Sequence, residues 1–359
     1  MRAVLCGYYG MGNGGDEALL AALLQMLPPA VTPLVLSGNP AETAQRYGVE
    51  AVPRMSLRAV WSALRGSESL IWGGGSLMQD TTSLASPLYY AGVMKLAQWL
   101  GLRTVAWAQG IGPLRRASSR GVTRWVLKDC DAVSVRDAGS ARWLADWGIQ
   151  GCLAPDPVWA LKSTPPGQAL PPAPRVAVAL RPHPCLTSAC LDLIAEALVN
   201  FQQATQASMV LVPFQPSRDL AIATRLAERL PGPHQIIQLT DPHQLKGLFQ
   251  SVSMTLGMRF HALVMAAAEG SRCFALSYDP KVSQLMSDLS LPGWGLPQPH
   301  LPGSQRLPLL PTTAAEITDQ WLKCYHGPAL PTETVAARID QALMHRTLLR
   351  EALGHPLKP

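Results

Sequence analysis

The chain has 359 residues, 48% hydrophobic and 15% charged, enough apolar material for two cores of ordinary size and far from the composition of a disordered protein. Its formal charge of +6 comes from Lys and Arg dispersed along the sequence, which argues against a nucleic-acid-binding stripe and suits phosphorylated small molecules or an anionic membrane face. Seven scattered cysteines without a CxxC pair read as reduced, buried thiols of a cytosolic protein rather than a disulfide framework.

Ala3 to Gly7 reads as a short buried strand, and from Asp16 onward Leu19, Leu20, Leu23, Leu24 and Leu27 recur at helical spacing. Between them lies Tyr8-Tyr9-Gly10-Met11-Gly12-Asn13-Gly14-Gly15, a glycine loop between strand and helix where backbone N–H groups approach a ligand. Gly10, Gly12 and Gly15 satisfy the GxGxxG spacing of a dinucleotide site. However, the second strand, Pro33 to Ser37, ends in Ser-Gly-Asn-Pro without the acidic residue that would hold a ribose. Asp16 and Glu17 put negative charge in the helix's first turn, favourable to its dipole and repulsive to a pyrophosphate. Without Gly-Lys-Ser/Thr a P-loop is excluded, and Asn13 and Asp16 suit sugar hydroxyls or loop ordering.

The pattern repeats. Ser69 to Trp72 is a buried strand running into Gly73-Gly74-Gly75-Ser76, with Gln79 and Asp80 beyond. Thr104 to Ala108 ends in Gln109-Gly110-Ile111-Gly112-Pro113, and Ala132 to Val135 ends in Arg136-Asp137, where Asp137 can cap the next helix. Strands alternating with helices predict a parallel sheet, with ligands beyond the carboxyl ends of its strands. Arg136 is either a bidentate anion clamp or half of an ion pair with Asp137 or Asp131.

The proline-rich stretch 163–174 separates residues 1–162 from a second alternation over 175–312. Strand Val176 to Leu180 ends in Arg181-Pro182-His183. Helix Ala189 to Thr205, strand Met209 to Val212, helix Leu220 to Leu230, strand Gln235 to Leu239 and helix His243 to Gln250 follow. Strand Ser253 to Leu256 then turns at Gly257-Met258 into a helix from near Phe260, with Arg259 and His261 at its rim. Cys273 to Ser277 returns Tyr278-Asp279-Pro280-Lys281 to the same edge. Residues 291–311, rich in Pro and Gly, read as a surface loop or lid in which Trp294 packs or stacks on a sugar. Residues 313–359 read as helices packing back across both domains. The expected fold class is α/β, with two Rossmann-like domains facing across a cleft in a GT-B-like arrangement.

The N-terminal apolar run is too short for a secretory signal, and Lys95, Arg103, Arg259 and Glu269 interrupt the longest apolar stretches, so the expected location is the cytoplasm, with peripheral contact at the inner membrane face. No compact His/Asp cluster suggests a metal.

Taken in order and spacing, these motifs, together with Asp156-Pro157-Val158, resemble the polysaccharide pyruvyl transferase family, most closely its CsaB-type members, over nearly the whole chain. One departure is Gly14-Gly15, where a single glycine with a larger neighbour is expected. The resemblance implies transfer of the enolpyruvyl group of phosphoenolpyruvate onto two hydroxyls of one sugar as a cyclic ketal, with loss of phosphate and no further cofactor. It also implies an N-acetylmannosamine-containing, lipid-linked cell-wall precursor as acceptor. The family's functional His, Arg and Lys fall on His261, Arg136 and Lys281. Phosphoenolpyruvate carries about three negative charges, for which Arg136, Arg181, Arg259 and Lys281 are the candidate cations. Gly10, Asn13, Gly15, Asp16, Gly74, Gly75, Ser76, Gln79, Asp80 and Gln109 are the candidate acceptor contacts. The rival is a nucleotide-sugar glycosyltransferase, with Glu269 as its ribose-gripping acid; a non-catalytic sugar-binding protein is the third reading.

Overall fold

The computed structural model describes residues 1–80, 85–297 and 307–354. It divides into two units, Met1–Leu161 together with the chain from Ala337 onward, and Lys162–Ala336.

The first unit alternates strand and helix: β1 (Arg2–Cys6), α1 (Gly14–Met26), β2 (Thr32–Ser37), α2 (Pro40–Tyr47), β3 (Glu50–Pro53), α3 (Leu57–Arg65), β4 (Ser69–Trp72), α4 (Ala85–Trp99), β5 (Arg103–Gln109), α5 (Ala117–Lys128), β6 (Ala132–Val135), α6 (Ala138–Trp147) and β7 (Cys152–Leu153). The strands pair in parallel in the order β3-β2-β1-β4-β5-β6-β7. β4 and β5 are buried along their whole length, as strands covered on both faces must be. Local chemistry sets the helix starts: Asn13, Asn39, Ser56 and Asp137 each accept a backbone N–H of the turn they open, and Gly48 and Gly148 close α2 and α6 in the left-handed conformation.

The second unit holds β8 (Arg175–Ala179), α7 (Ser188–Thr205), β9 (Ser208–Leu211), α8 (Pro216–Ala227), β10 (His234–Ile236), α9 (Pro242–Leu248), β11 (Met254–Gly257), α10 (Phe260–Ala268), β12 (Arg272–Ser277), α11 (Pro280–Leu289), β13 (Gly293–Gly295) and α12 (Ala314–His326). Its six strands are again parallel, in the order β10-β9-β8-β11-β12-β13. The proline-rich segment belongs to this unit and is tied to α9, with Thr164 N donating to His243 O at 3.0 Å and Gly167 N to Gln244 Oε1 at 3.1 Å. Trp294 is buried against Phe274 and Trp321, with ring centroids 4.5 and 6.4 Å apart, so it packs the core. β13 lies within the segment expected to be a loop; residues 298–306 of that segment lie outside the described ones.

Two helices, α13 (Thr332–Ala342) and α14 (Met344–Gly354), complete the described chain, and α14 packs on β5 and β6 of the first unit. Among the described residues no helix is long and apolar enough to cross a membrane.

Both sheets have a point at which the strand order reverses, between β1 and β4 in the first unit and between β8 and β11 in the second. Adjacent parallel strands whose connections leave in opposite directions open a crevice at their carboxyl ends, the usual ligand position in such sheets.

Candidate active site

In the second unit this crevice lies among the cations. Arg181 follows β8, Arg259 and His261 follow β11, and Lys281 follows β12, so three consecutive strands of the sheet deliver them to one edge. Asp279 caps α11 by accepting the Lys281 N–H at 3.0 Å, which fixes Lys281 in the helix's first turn. His261 stands in the first turn of α10, half-buried, its ring edge-on to Phe260 with centroids 5.2 Å apart. Arg181 donates from NH1 to the Tyr278 hydroxyl at 3.0 Å and lies 5.2 Å from that ring's centre, while its buried Nε has no hydrogen-bond partner.

Two side chains that sequence reasoning left out join this edge. His183 packs against Tyr278, centroids 4.6 Å apart, and its Nδ1 accepts the Cys185 N–H at 3.2 Å, leaving Nε2 to carry the proton. Burial, and then the Arg181 charge, push the His183 pKa below the usual imidazole value, which keeps the ring neutral near pH 7. Burial, ahead of the opposing Arg181 charge, raises the pKa of the Tyr278 phenol. The other addition is Asp219 in α8, fully buried, which accepts from Arg259 Nε at 3.0 Å and NH2 at 2.5 Å. That bidentate pair neutralises most of the Arg259 charge and sets its guanidinium as a fixed part of the edge.

The first unit's crevice is built from the glycine loops. Gly10 has φ +69°, and a Cβ there would lie 2.0 Å from Ser37 Oγ, so only glycine brings the loop this close to the end of β2. Glu17 is buried and reaches back to accept the Gly10 N–H at 2.8 Å and the Tyr47 hydroxyl at 2.9 Å. Desolvation by that burial raises its pKa. Asn13 accepts from Gly15 N, and its side-chain amide donates to Asp16 Oδ2 at 2.5 Å. Gln109 donates from Nε2 to Gly73 O at 2.7 Å and Trp107 O at 2.8 Å, and Gly110 N donates to Gly75 O at 2.7 Å, stitching the β4 and β5 loops together. Asp80 accepts the N–H groups of Arg115 and Arg116, both at 2.9 Å; burial pushes its pKa up, but these bonds, with the Ser119 hydroxyl and the Arg116 charge, together bring it below the usual carboxylate value. Gly74, Gly75, Ser76 and Gln79 lie on the same edge after β4.

Arg136 is buried and pairs with Asp156, NH1 to Oδ2 at 2.6 Å, while NH2 donates to Ser76 Oγ at 3.2 Å. The nearby acids serve elsewhere: Asp137 caps α6, and Asp131 accepts the Thr104 N–H at 2.8 Å. Beneath this pair lies His345 of α14, fully buried, with Nε2 at 2.9 Å from Pro155 O and Nδ1 at 2.9 Å from Ser134 Oγ. A carbonyl can only accept, so Nε2 carries the hydrogen and Nδ1 accepts from Ser134. Burial lowers the His345 pKa to about 4.

The sequence's candidate for gripping a ribose is displaced. Glu269 ends α10, so it lies at the amino edge of the second sheet, where it pairs with the buried Lys246 at 3.5 Å and accepts from Gln250 at 2.7 Å.

A family model described as polysaccharide pyruvyl transferase matches residues 13–280, from Asn13 before α1 to the Pro280 that opens α11, with Gly10 and Lys281 just outside it. The chain belongs to the polysaccharide pyruvyl transferase family. No curated protein matches it closely enough to count as a relative. Among solved structures it is similar to a protein of Listeria monocytogenes provisionally named a UDP-N-acetylglucosamine 2-epimerase, with TM-score 0.62, 10% identity and coverage of 98% of this chain and 94% of that one. It is also similar to HepE of Anabaena, solved with UDP and glucose, at TM-score 0.55 and 12% identity over 98% of each chain. The UDP-GlcNAc 2-epimerase of Methanocaldococcus jannaschii matches at TM-score 0.57 and 10% identity, over 96% of this chain and 100% of that one. At such identities the likeness shows the fold, two parallel-sheet α/β units of the GT-B kind. Family members are transferases acting on polysaccharide.

Proposed function

We propose that this chain transfers the enolpyruvyl group of phosphoenolpyruvate to two hydroxyls of one sugar, forming a cyclic ketal and releasing phosphate. The observation that carries this reading is the delivery of Arg181, His261 and Lys281 by three adjacent strands, β8, β11 and β12, to the switch point of the second sheet. A carboxylate and a phosphate need cations that are not already neutralised, and Arg181, whose Nε is unspent, supplies one. Lys281 stands on the same edge, and the neutral His183 adds an Nε2–H donor.

In the reaction His261 protonates the methylene carbon as one sugar hydroxyl adds to the neighbouring carbon. The second hydroxyl then displaces phosphate from that carbon. Of the two hydroxyl protons, one replaces the proton His261 gave and the other leaves with phosphate, so the histidine ends as it began. By motif the family's Arg falls on Arg136 in the first unit, its guanidinium held by Asp156 and its NH2 directed to Ser76. The acceptor is a sugar of the N-acetylmannosamine type in a lipid-linked precursor of a cell-surface polysaccharide, met on the cytoplasmic side of the membrane and bound over the glycine loops.

Incubation with phosphoenolpyruvate and a synthetic N-acetylmannosamine acceptor is expected to release inorganic phosphate and to add the mass of a pyruvate ketal. Release of a nucleoside diphosphate from a nucleotide sugar, with no ketal product, would favour the glycosyltransferase rival. The pairing of Glu269 with Lys246 at the amino edge weighs against that rival.

A further inference from the structure

Arg54 follows β3 and is 9% exposed. Its NH1 donates to Gly7 O at 3.1 Å and its NH2 to the Tyr90 hydroxyl at 3.0 Å, and its own carbonyl accepts the Tyr89 hydroxyl at 2.7 Å. The guanidinium carbon lies 5.0, 5.4 and 5.6 Å from the ring centres of Tyr89, Tyr90 and Tyr8. Among the described residues no carboxylate forms an ion pair with it. This differs from Arg136 and Arg259, each of which has a buried Asp. Three aromatic faces offset part of the cost of burying a cation, but they leave its charge uncompensated.

The surroundings are rich in donors and poor in acceptors. Among the described residues Arg54 Nε–H has no acceptor beyond the bonds made by NH1 and NH2, and the Tyr90 hydroxyl, which accepts from Arg54, has none for its own hydrogen. Tyr9, fully buried, has a hydroxyl without a partner. Its ring lies over Gly7 and Gly73, where added Cβ atoms would fall 2.4 Å from the ring and 1.5 Å from the hydroxyl. Tyr9 and Arg54 therefore converge on Gly7, at the carboxyl end of β1 beside the switch point. The acids of the neighbouring loop are bonded elsewhere, Glu17 to Gly10, Tyr47 and Arg46 and Asp16 to Asn13, but behind burial the Asp16 charge still acts on the Tyr9 and Tyr90 phenols, so an anion here depends on the Arg54 charge to offset it. A guanidinium and two phenols on separate elements, all with hydrogens to give, suit a tetrahedral oxyanion that receives bonds from several directions.

We propose that Arg54, Tyr90 and Tyr9 form an oxyanion subsite beside the β1–β4 switch point that holds the phosphate-type group of the acceptor. It rests on the transferase reading for the identity of that acceptor, while the anion itself is recognised by this chain's own donors. The subsite selects sugars that carry a phosphate at the reducing end over the same sugars without one.

The test is calorimetric titration of the full chain, without phosphoenolpyruvate, using N-acetylmannosamine 1-phosphate, N-acetylmannosamine and inorganic phosphate. The wild type is expected to bind the sugar phosphate about tenfold or more tightly than the sugar. Arg54→Met is expected to bring that ratio close to one, and Tyr90→Phe, which keeps the ring and removes the hydrogen, to lower it part of the way. An unchanged ratio in folded Arg54→Met overturns the proposal. Should that variant not fold, unchanged ratios in both Arg54→Lys and Tyr90→Phe overturn it equally. Arg54-dependent binding of inorganic phosphate with no advantage for the sugar phosphate also overturns it, since the site would then serve the released product. No turnover is read, so absence of pyruvyl transfer with the selectivity intact removes the proposed reaction and leaves the subsite standing.

Discussion

At the β1–β4 end of the first unit most polar side chains are spent on one another: Glu17 on the Gly10 loop, Asp80 on the start of α5, Gln109 on the carbonyls of β4 and β5, and Arg136 on Asp156. At the β8–β11 end of the second unit Arg259 is committed to Asp219, while Arg181 keeps a buried donor without an acceptor among the described residues. The first edge is a rigid surface whose shape is set in advance, with Arg54 as its unpaired cation. The second keeps an unanswered donor on Arg181.

The sharpest way to break this contrast is His261→Ala. Loss of the proton donor is expected to lower pyruvyl transfer by about 10²–10⁴-fold, read as phosphate release, while the urea midpoint stays near that of the wild type. Activity close to normal would return His261 to an ordinary place in the wall of α10. Next in size is the contrast between a spent and an unspent arginine. Asp219→Asn, which leaves Arg259 buried without its partner charge, is expected to cost about 3–5 kcal/mol in urea unfolding. Arg181→Met should leave stability nearly unchanged and raise the KM for phosphoenolpyruvate. The reverse pattern would show that Arg181 is the structural arginine and Arg259 the ligand-binding one.

His345 offers a test of the first edge through pH. Its pKa is lowered from 6.5 to about 4 by burial, so as pH falls below 6.5 the unfolded chain takes up a proton that the folded one refuses. Stability is therefore expected to fall between pH 6.5 and 4, and His345→Gln should flatten that part of the urea-midpoint curve. An identical slope in the variant would remove His345 as the cause. The smallest effect on catalysis is expected from Glu269→Gln, which lies at the amino edge: turnover per folded molecule should stay at the wild-type level even though Lys246 loses its partner charge. A selective loss of turnover would revive the nucleotide-sugar rival.

Much of the fold was legible because it depends on short stretches of chain. The periodicity of Leu19 to Leu27, the buried run Ser69 to Trp72 and the Asp137 cap are satisfied by neighbours in sequence, and the structure places α1, β4 and α6 accordingly. The region 40–65 was not read, because β3 has four residues and only one face of short helices beside it, too little for a period to stand out. Trp294 could not be assigned from its neighbours in a Pro- and Gly-rich segment; the packing of Phe274 and Trp321 around it decides its place.

What the sequence by itself determined is which residues end each strand: Arg136, Arg181, Arg259, His261 and Lys281 all stand just past strand ends, as their order with the strands requires. Only the tertiary structure decided which of these charges are already answered. Asp156 lies 20 residues from Arg136 and Asp219 lies 40 from Arg259, while Arg54 meets Gly7 and Tyr90 at separations of 47 and 36. No local pattern encodes such pairings, because they depend on which strands lie side by side and on which helices cover them. The sequence lists cations at a sheet edge, and packing decides which of them a carboxylate holds.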